Sequence, residues 1–135
     1  MRGAVNHIGL TVSDLAETER AFHAPVLGWL GYEKVEAVPD VMALWFNGAA
    51  KTAVVLYQAD GGNHDRTTPG LHHLAFSAPD RSEVDDLHGL LTEHGVRVLD
   101  APAEYPDYGP GYYAVYFADP DGMKWELAHM PVIPD

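Results

Sequence analysis

The sequence predicts an α+β fold made of two tandem βαβββ modules. Two observations lead to this prediction: segments of the first half recur in the second half, and both halves show the same order of strand and helix patterns. Small changes in the spacing between matches are what loop insertions produce, and three matches in the same order favour duplication over chance. The matching segments are 6–13 with 72–79, 30–35 with 94–99, and 43–46 with 114–117.

The repeat divides the chain of 135 residues into two modules joined by a polar linker. Module 1 covers about residues 1–58, and module 2 covers about residues 71–135. The segment 59–70 between them is rich in Asp, Gly, Asn, Thr and Pro, which favour turns and loops. Because the chain has the length of one ordinary domain, we expect the two modules to form a single domain.

Strand patterns begin and end each module. The opening segments, 5–12 and 71–78, alternate between apolar and polar residues, which is typical of a strand with one buried face. A helix should follow each of them. Three shorter strands are then expected in each module, near 30–37, 41–47 and 52–58, and near 96–99, 112–118 and 123–129.

Each predicted helix has an entry signal. Asp14 with Glu17, and Ser82 with Asp85, have the spacing of a capping box. Pro25 limits how far a regular first helix continues, because proline lacks the backbone N–H that an interior helical position needs. Each module therefore reads as one strand, one helix and three strands.

Alternation along the strands assigns side chains to faces, because neighbours on a strand point to opposite sides of its sheet. The apolar rows face the helices, so His7 and His73 point away from them and His72 points toward them. The last strand puts Glu126 on the face of the two histidines. Two imidazoles and one carboxylate suit Fe, Mn, Ni, Co or Zn and leave coordination positions for water or substrate. We therefore predict a divalent metal site.

Composition excludes several classes of protein. The chain has 20 Asp or Glu against 8 Lys or Arg, a formal charge of −12, which argues against nucleic acid or an anionic membrane as partner. It has no cysteine, which excludes disulfides, zinc fingers and thiol nucleophiles. Without a secretory signal or a long apolar stretch, we expect a cytoplasmic protein. Any metal chemistry must use histidine and carboxylate.

Three stretches of the sequence resemble the vicinal oxygen chelate superfamily, which includes glyoxalase I, extradiol dioxygenases, methylmalonyl-CoA epimerase, and the fosfomycin- and bleomycin-resistance proteins. The most specific is the turn Asp-Pro-Asp-Gly at 119–122, which resembles the hairpin that presents the last metal ligand in that family. The stretches are 6–15, 71–76 and 117–127.

The resemblance implies curved mixed sheets that enclose a metal-binding cavity, commonly in a homodimer. The family's metal positions fall on His7, His73 and Glu126. Its fourth position falls on Val55, where glyoxalase I usually has a glutamate, so we expect that ligand to be absent, which argues against strict lactoylglutathione lyase activity. A set of two His and one Glu is more similar to the extradiol dioxygenase and fosfomycin-resistance arrangements.

The segment 101–113 has four tyrosines among prolines and glycines. One interpretation is a surface loop whose tyrosines pack on a dimer partner. The other is a rim over the metal cavity that supplies phenolic hydrogen bonds and flat apolar walls for a small, aromatic ligand. On strand parity, Trp45 and Tyr116 should join Tyr57 in this wall. The predicted substrate-binding residues are Trp45, Tyr57, Tyr105, Tyr108, Tyr112 and Tyr116.

The sequence thus predicts a metal-dependent enzyme that acts on a small oxygen-chelating substrate by dioxygenase, lyase or isomerase chemistry. The alternative is a non-catalytic binding protein that sequesters an antibiotic, as bleomycin-resistance proteins do. The acidic surplus would suit a cationic drug, but it also suits solvated helix faces that keep a protein soluble. The predicted metal ligands favour the enzyme, because sequestering proteins of this fold characteristically lack them.

Overall fold

A computed structural model describes residues 2–131 of the chain. The chain divides into two compact units, Met1–Asn63 and His64–Asp135. Each unit has a four-stranded mixed sheet and a helical connection between its first two strands, so the predicted α+β architecture is confirmed. Among residues 2–131, no helix combines the length and the apolar character needed to cross a membrane.

The first unit is built on a sheet with the strand order β1-β4-β3-β2. β1 pairs with β4 in parallel, and the other neighbouring pairs are antiparallel. A parallel pair needs a crossover, which the helical segment between β1 and β2 provides. The strands are β1 (His7–Val12), β2 (Glu33–Val38), β3 (Met42–Asn47) and β4 (Thr52–Gln58).

The helical crossover of the first unit consists of α1 (Leu15–Thr18), a π-helical turn (Glu19–His23) and α2 (Ala24–Trp29). Asp14 caps α1, as predicted, by accepting a hydrogen bond from the backbone N of Glu17 at 3.2 Å. Pro25 lies in the first turn of α2, directly after the π-helical turn. The helical segment therefore continues past Ala24. The π-helical turn lies just before Pro25, a residue that the interior of a regular α-helix would not accommodate.

The second unit repeats this order with a sheet β5-β8-β7-β6. Its helix α3 (Arg81–Glu93) buries Val84, Leu87 and Leu91. The predicted cap at Ser82 is wrong: Asp80 accepts from the backbone N of Glu83 at 3.0 Å, and the Ser82 hydroxyl donates to Asp80. The strands are β5 (His73–Ser77), β6 (Arg97–Glu104), β7 (Tyr113–Ala118) and β8 (Lys124–His129), and a short 3₁₀ turn covers Pro106–Tyr108.

The turn between β7 and β8 is organised by the carboxylate of Asp119, which is 6% exposed. Its Oδ1 accepts from the backbone N of Asp121 at 2.9 Å and of Met123 at 3.0 Å. Its Oδ2 accepts from the indole Nε1 of the fully buried Trp125 at 3.2 Å. Asp119 therefore fixes both the turn and the first residues of β8, including the strand parity that decides where Glu126 points.

We expect Asp119→Ala to lower the free energy of unfolding by about 2–4 kcal/mol, because three hydrogen bonds to a buried acceptor are lost together. Urea unfolding followed by circular dichroism measures this. Asp86→Ala, on the exposed side of α3, is the matched control and should stay within about 0.5 kcal/mol of the unmodified protein. Equal stability of the two variants would contradict the role assigned to Asp119.

Candidate functional site

The second unit brings His73 and Glu126 together on one face of its sheet. His73 begins β5, and Glu126 lies in β8 opposite Ala75 in the parallel register. The neighbours Leu74 and Trp125 lie on the other face, where Trp125 stacks on Phe76. His73 Nε2 lies 3.1 Å from Glu126 Oε1.

Glu126 is a buried carboxylate, with 2% of its surface exposed. Its second oxygen, Oε2, accepts a short hydrogen bond from the hydroxyl of Tyr112. Burial, together with this hydrogen bond, raises the pKa of Tyr112 above its usual range, so the phenol remains a donor at neutral pH. The two carboxylate oxygens of Glu126 thus have different partners: Oε1 faces the His73 imidazole, and Oε2 accepts from the Tyr112 phenol.

Four tyrosines of the second unit surround this pair. Tyr116 pairs with Glu126 across the β7–β8 ladder, and its ring centroid lies 6.4 Å from that of His73. The ring of Tyr105 contacts those of Tyr116 at 5.4 Å, Tyr108 at 5.9 Å and Tyr112 at 6.5 Å.

The segment 105–112, which carries three of these tyrosines, is closed by a backbone hydrogen bond from Tyr105 N to Tyr112 O at 2.9 Å. Tyr108 is the most open of the four, with 63% of its surface exposed. The structure therefore places Tyr105, Tyr108, Tyr112 and Tyr116 beside Glu126 as one aromatic wall, which we call the tyrosine wall.

Two further basic groups lie near His73. His72 precedes β5, and its Nδ1 lies 2.8 Å from Nδ1 of His73. Partial desolvation, and then the nearby basic groups of His73, Lys124 and Arg66, lower the pKa of His72. The Lys124 ammonium lies 4.3 Å above the ring centroid of Tyr116. Strand parity places Lys124 on the face of Glu126, but a single lysine carries no motif, so sequence reasoning assigned it no role.

The first unit presents His7 at the start of β1. The side chain is exposed, and its Nδ1 lies 2.8 Å from Asn6 Oδ1. Val55 pairs with Gly9 just as Glu126 pairs with Ala75, so Val55 occupies the register position of Glu126 in the other sheet. The ring of Tyr57 covers Gly9: a Cβ at that glycine would lie 3.2 Å from it. Among residues 2–131, no group of three or more His, Asp or Glu side chains is placed to hold a metal ion.

Trp45 faces the helices of the first unit, so its predicted position in the substrate wall is wrong. It pairs with Val54, and its indole Nε1 donates to Glu19 Oε2 at 2.9 Å. The sequence comparison matched Trp45 with Tyr116, but the register position of Tyr116 belongs to Leu44.

The cause of this error is the length of a turn. Four residues (48–51) connect β3 to β4, whereas five residues (119–123) connect β7 to β8. A difference of one residue moves a side chain to the opposite face of the sheet.

We expect Glu19→Ala to lower the free energy of unfolding by about 1–2 kcal/mol, because the Trp45 indole loses its acceptor while the more exposed contact with Lys34 contributes little. Tryptophan fluorescence during urea unfolding measures the change. Glu19→Gln keeps an acceptor for the indole and should lose less than half as much. Unchanged stability of Glu19→Ala would contradict the position of Trp45.

Two sheets of the same strand order, each with a helical crossover, define a tandem βαβββ protein. Residues 4–127 match the model of the Glyoxalase/Bleomycin resistance protein/Dioxygenase superfamily, and the chain belongs to this family. The family resemblance inferred from the sequence is therefore confirmed.

Individual relatives cover nearly the whole chain. The uncharacterised protein YqjT of Bacillus subtilis is 35% identical, over 91% of this chain and 96% of the relative. A 2-epi-5-epi-valiolone epimerase of an Actinomyces species is 31% identical, over 95% of this chain and 80% of the relative. The crystal structure of a glyoxalase candidate from Bacillus halodurans has a TM-score of 0.79 and 31% identity, over 96% of this chain and 97% of that one.

Proposed function

We propose that this protein is a metal-dependent enzyme whose small substrate chelates a divalent ion through two oxygens, with His7, His73 and Glu126 as the metal ligands. The observation that carries the proposal is the buried Glu126 carboxylate, whose Oε1 faces the imidazole Nε2 of His73 at 3.1 Å. A buried carboxylate is costly unless it is paired, and a cation between the two groups would compensate it.

The donor set fits the metals that the sequence suggests. Imidazole and carboxylate together suit Fe, Mn, Co, Ni and Zn. His7 opens β1 as His73 opens β5, which supports a corresponding role for the two imidazoles. Val55 offers no donor at the position that corresponds to Glu126, so the proposed site has three protein ligands and leaves positions for a chelating substrate. When bound, the ion would supply Lewis-acid polarisation of a substrate oxygen.

Neighbouring tyrosine side chains orient Glu126 and line the proposed site. Tyr112 holds Oε2 of Glu126, which leaves Oε1 for coordination. The tyrosine wall limits the space beside His73 and offers flat apolar surfaces to a small molecule. Tyr57 is proposed to have the same role in the first unit. A homodimer and a cytoplasmic location stay predictions.

The reaction class that we favour among the three is an isomerisation. The Actinomyces relative is an epimerase, and it is 31% identical over almost the whole of this chain. Epimerisation moves a proton at carbon, and polarisation of an adjacent oxygen facilitates that step. Oxygen uptake with catechols would instead point to a dioxygenase, and turnover of a glutathione hemithioacetal to a lyase.

Metal binding is the first test of the proposal. We expect protein purified without a histidine tag to bind one divalent ion per chain, and His7→Ala, His73→Ala and Glu126→Ala each to lower the affinity by about 100-fold or more, because a directly coordinating group is removed. Titration followed by elemental analysis of the dialysed protein measures this.

His72→Ala is the matched control for His73→Ala, since it removes the adjacent imidazole but no proposed ligand. It should keep the ion and lose no more than about tenfold in affinity, because His72 is a hydrogen-bond partner of His73 and not a ligand. Loss of the ion in His72→Ala with retention in His73→Ala would contradict the assignment of ligands. If the unmodified protein binds none of the five metals at micromolar concentration, and still binds small ligands, the binding-protein alternative replaces the enzyme.

Tyr112→Phe tests whether the phenol positions Glu126. We expect metal affinity to fall by about tenfold, because hydrogen-bond partners of a coordinating carboxylate typically contribute 10- to 100-fold. Tyr113→Phe is the control: the Tyr113 hydroxyl donates to Asp85 at 2.6 Å, on the helix side. It should leave metal affinity unchanged. Equal metal affinities of the two variants, with both proteins folded by circular dichroism, would contradict the positioning role of Tyr112.

A further inference from the structure

We infer that the substrate is a small carboxylate with an oxygen on the adjacent carbon, and that Lys124 binds its negative charge. The inference rests on the proposed function, because it concerns what the metal site accepts. It identifies a chemical class of substrate and one residue that selects it.

The position of Lys124 beside the proposed metal ligands supports this inference. Lys124 begins β8, where it pairs with His73 on one side and with Ala118 on the other. It is two residues before Glu126 on the same strand, so both side chains lie on one face of the sheet. The ring of Tyr116 is close to both side chains: the ammonium is 4.3 Å from its centroid, and the imidazole centroid is 6.4 Å from it.

The ammonium group of Lys124 is not neutralised by any carboxylate of the described residues. Lys124 makes no salt bridge within the part of the chain that the structure describes, residues 2–131. By contrast, Lys34 is paired with Glu19, and Arg81 is paired with Glu104. A ring face attracts an ammonium without cancelling its charge, and a lysine has three N–H donors. The ammonium on Tyr116 can therefore still bind an anionic oxygen.

The charge balance gives the substrate class. A divalent ion with two neutral imidazoles and the Glu126 carboxylate has a net charge of +1, and Lys124 raises the local charge to +2. In a partly buried site lined by tyrosines, an uncompensated charge is costly. A chelator that carries negative charge lowers this positive charge, and a neutral chelator does not. A carboxylate next to a second oxygen supplies both the chelating pair and the charge.

The test compares two chelators that have almost the same shape and differ by one charge, oxalate and oxamate. Each is titrated into the Co²⁺-loaded protein. Calorimetry gives the affinities, and the visible absorption of Co²⁺ distinguishes a ternary complex from extraction of the metal. We expect the unmodified protein to prefer oxalate, and Lys124→Met to reduce the ratio of the two affinities by about tenfold. Lys124→Arg keeps the charge and should retain most of the preference.

Lys51→Met is the matched control, because it makes the same change in net charge in the turn between β3 and β4. It should leave the affinity ratio unchanged. An equal reduction in Lys51→Met would mean a general effect of net charge and would overturn the inference. If Lys124→Met binds Co²⁺ normally and keeps the preference for oxalate, the inference fails while the metal site stands. If the unmodified protein takes up no Co²⁺ or other tested ion, the proposed function fails and the inference fails with it.

Discussion

The contacts of one buried carboxylate organise the candidate site. Glu126 is removed from solvent, with one oxygen facing the His73 imidazole and the other accepting from the Tyr112 phenol. Burial of an ionisable group is tolerated only when partners compensate it, so the positions of these three side chains depend on one another. The tyrosine wall and Lys124 are arranged around this group, through Tyr116.

The backbone that presents Glu126 depends in turn on a five-residue turn. Asp119 accepts from two backbone N–H groups of that turn and from the indole of Trp125. The indole contact fixes Trp125 on the helix side, which forces Glu126 to the opposite face. The Asp-Pro-Asp-Gly turn at 119–122 therefore connects the two strands of the hairpin and also determines the face on which the Glu126 carboxylate lies.

Most of the site in the second unit could be predicted from the sequence. Alternation along three strands distinguishes His73 from His72 and places Glu126 and Tyr116 on one face, because strand parity is a local property. Trp45 could not be placed by the same reasoning. Strand parity put Trp45 on the wrong face, because the two hairpin turns differ by one residue, which sequence similarity over four residues does not reveal. Lys124 was assigned no role from the sequence, because a single lysine carries no motif and its contact with Tyr116 joins two strands.

By itself, the sequence determined the order of elements, the family, and the common face of His73, Glu126 and Tyr116. These depend on periodicity, turn residues and repetition, all of which are local. Only the tertiary structure decided that Tyr112 reaches Glu126 Oε2, that Asp80 and not Ser82 caps α3, and that Trp45 bonds Glu19. Each of these is a hydrogen bond between particular atoms, and its formation depends on turn lengths, caps and rotamers that bring distant residues together.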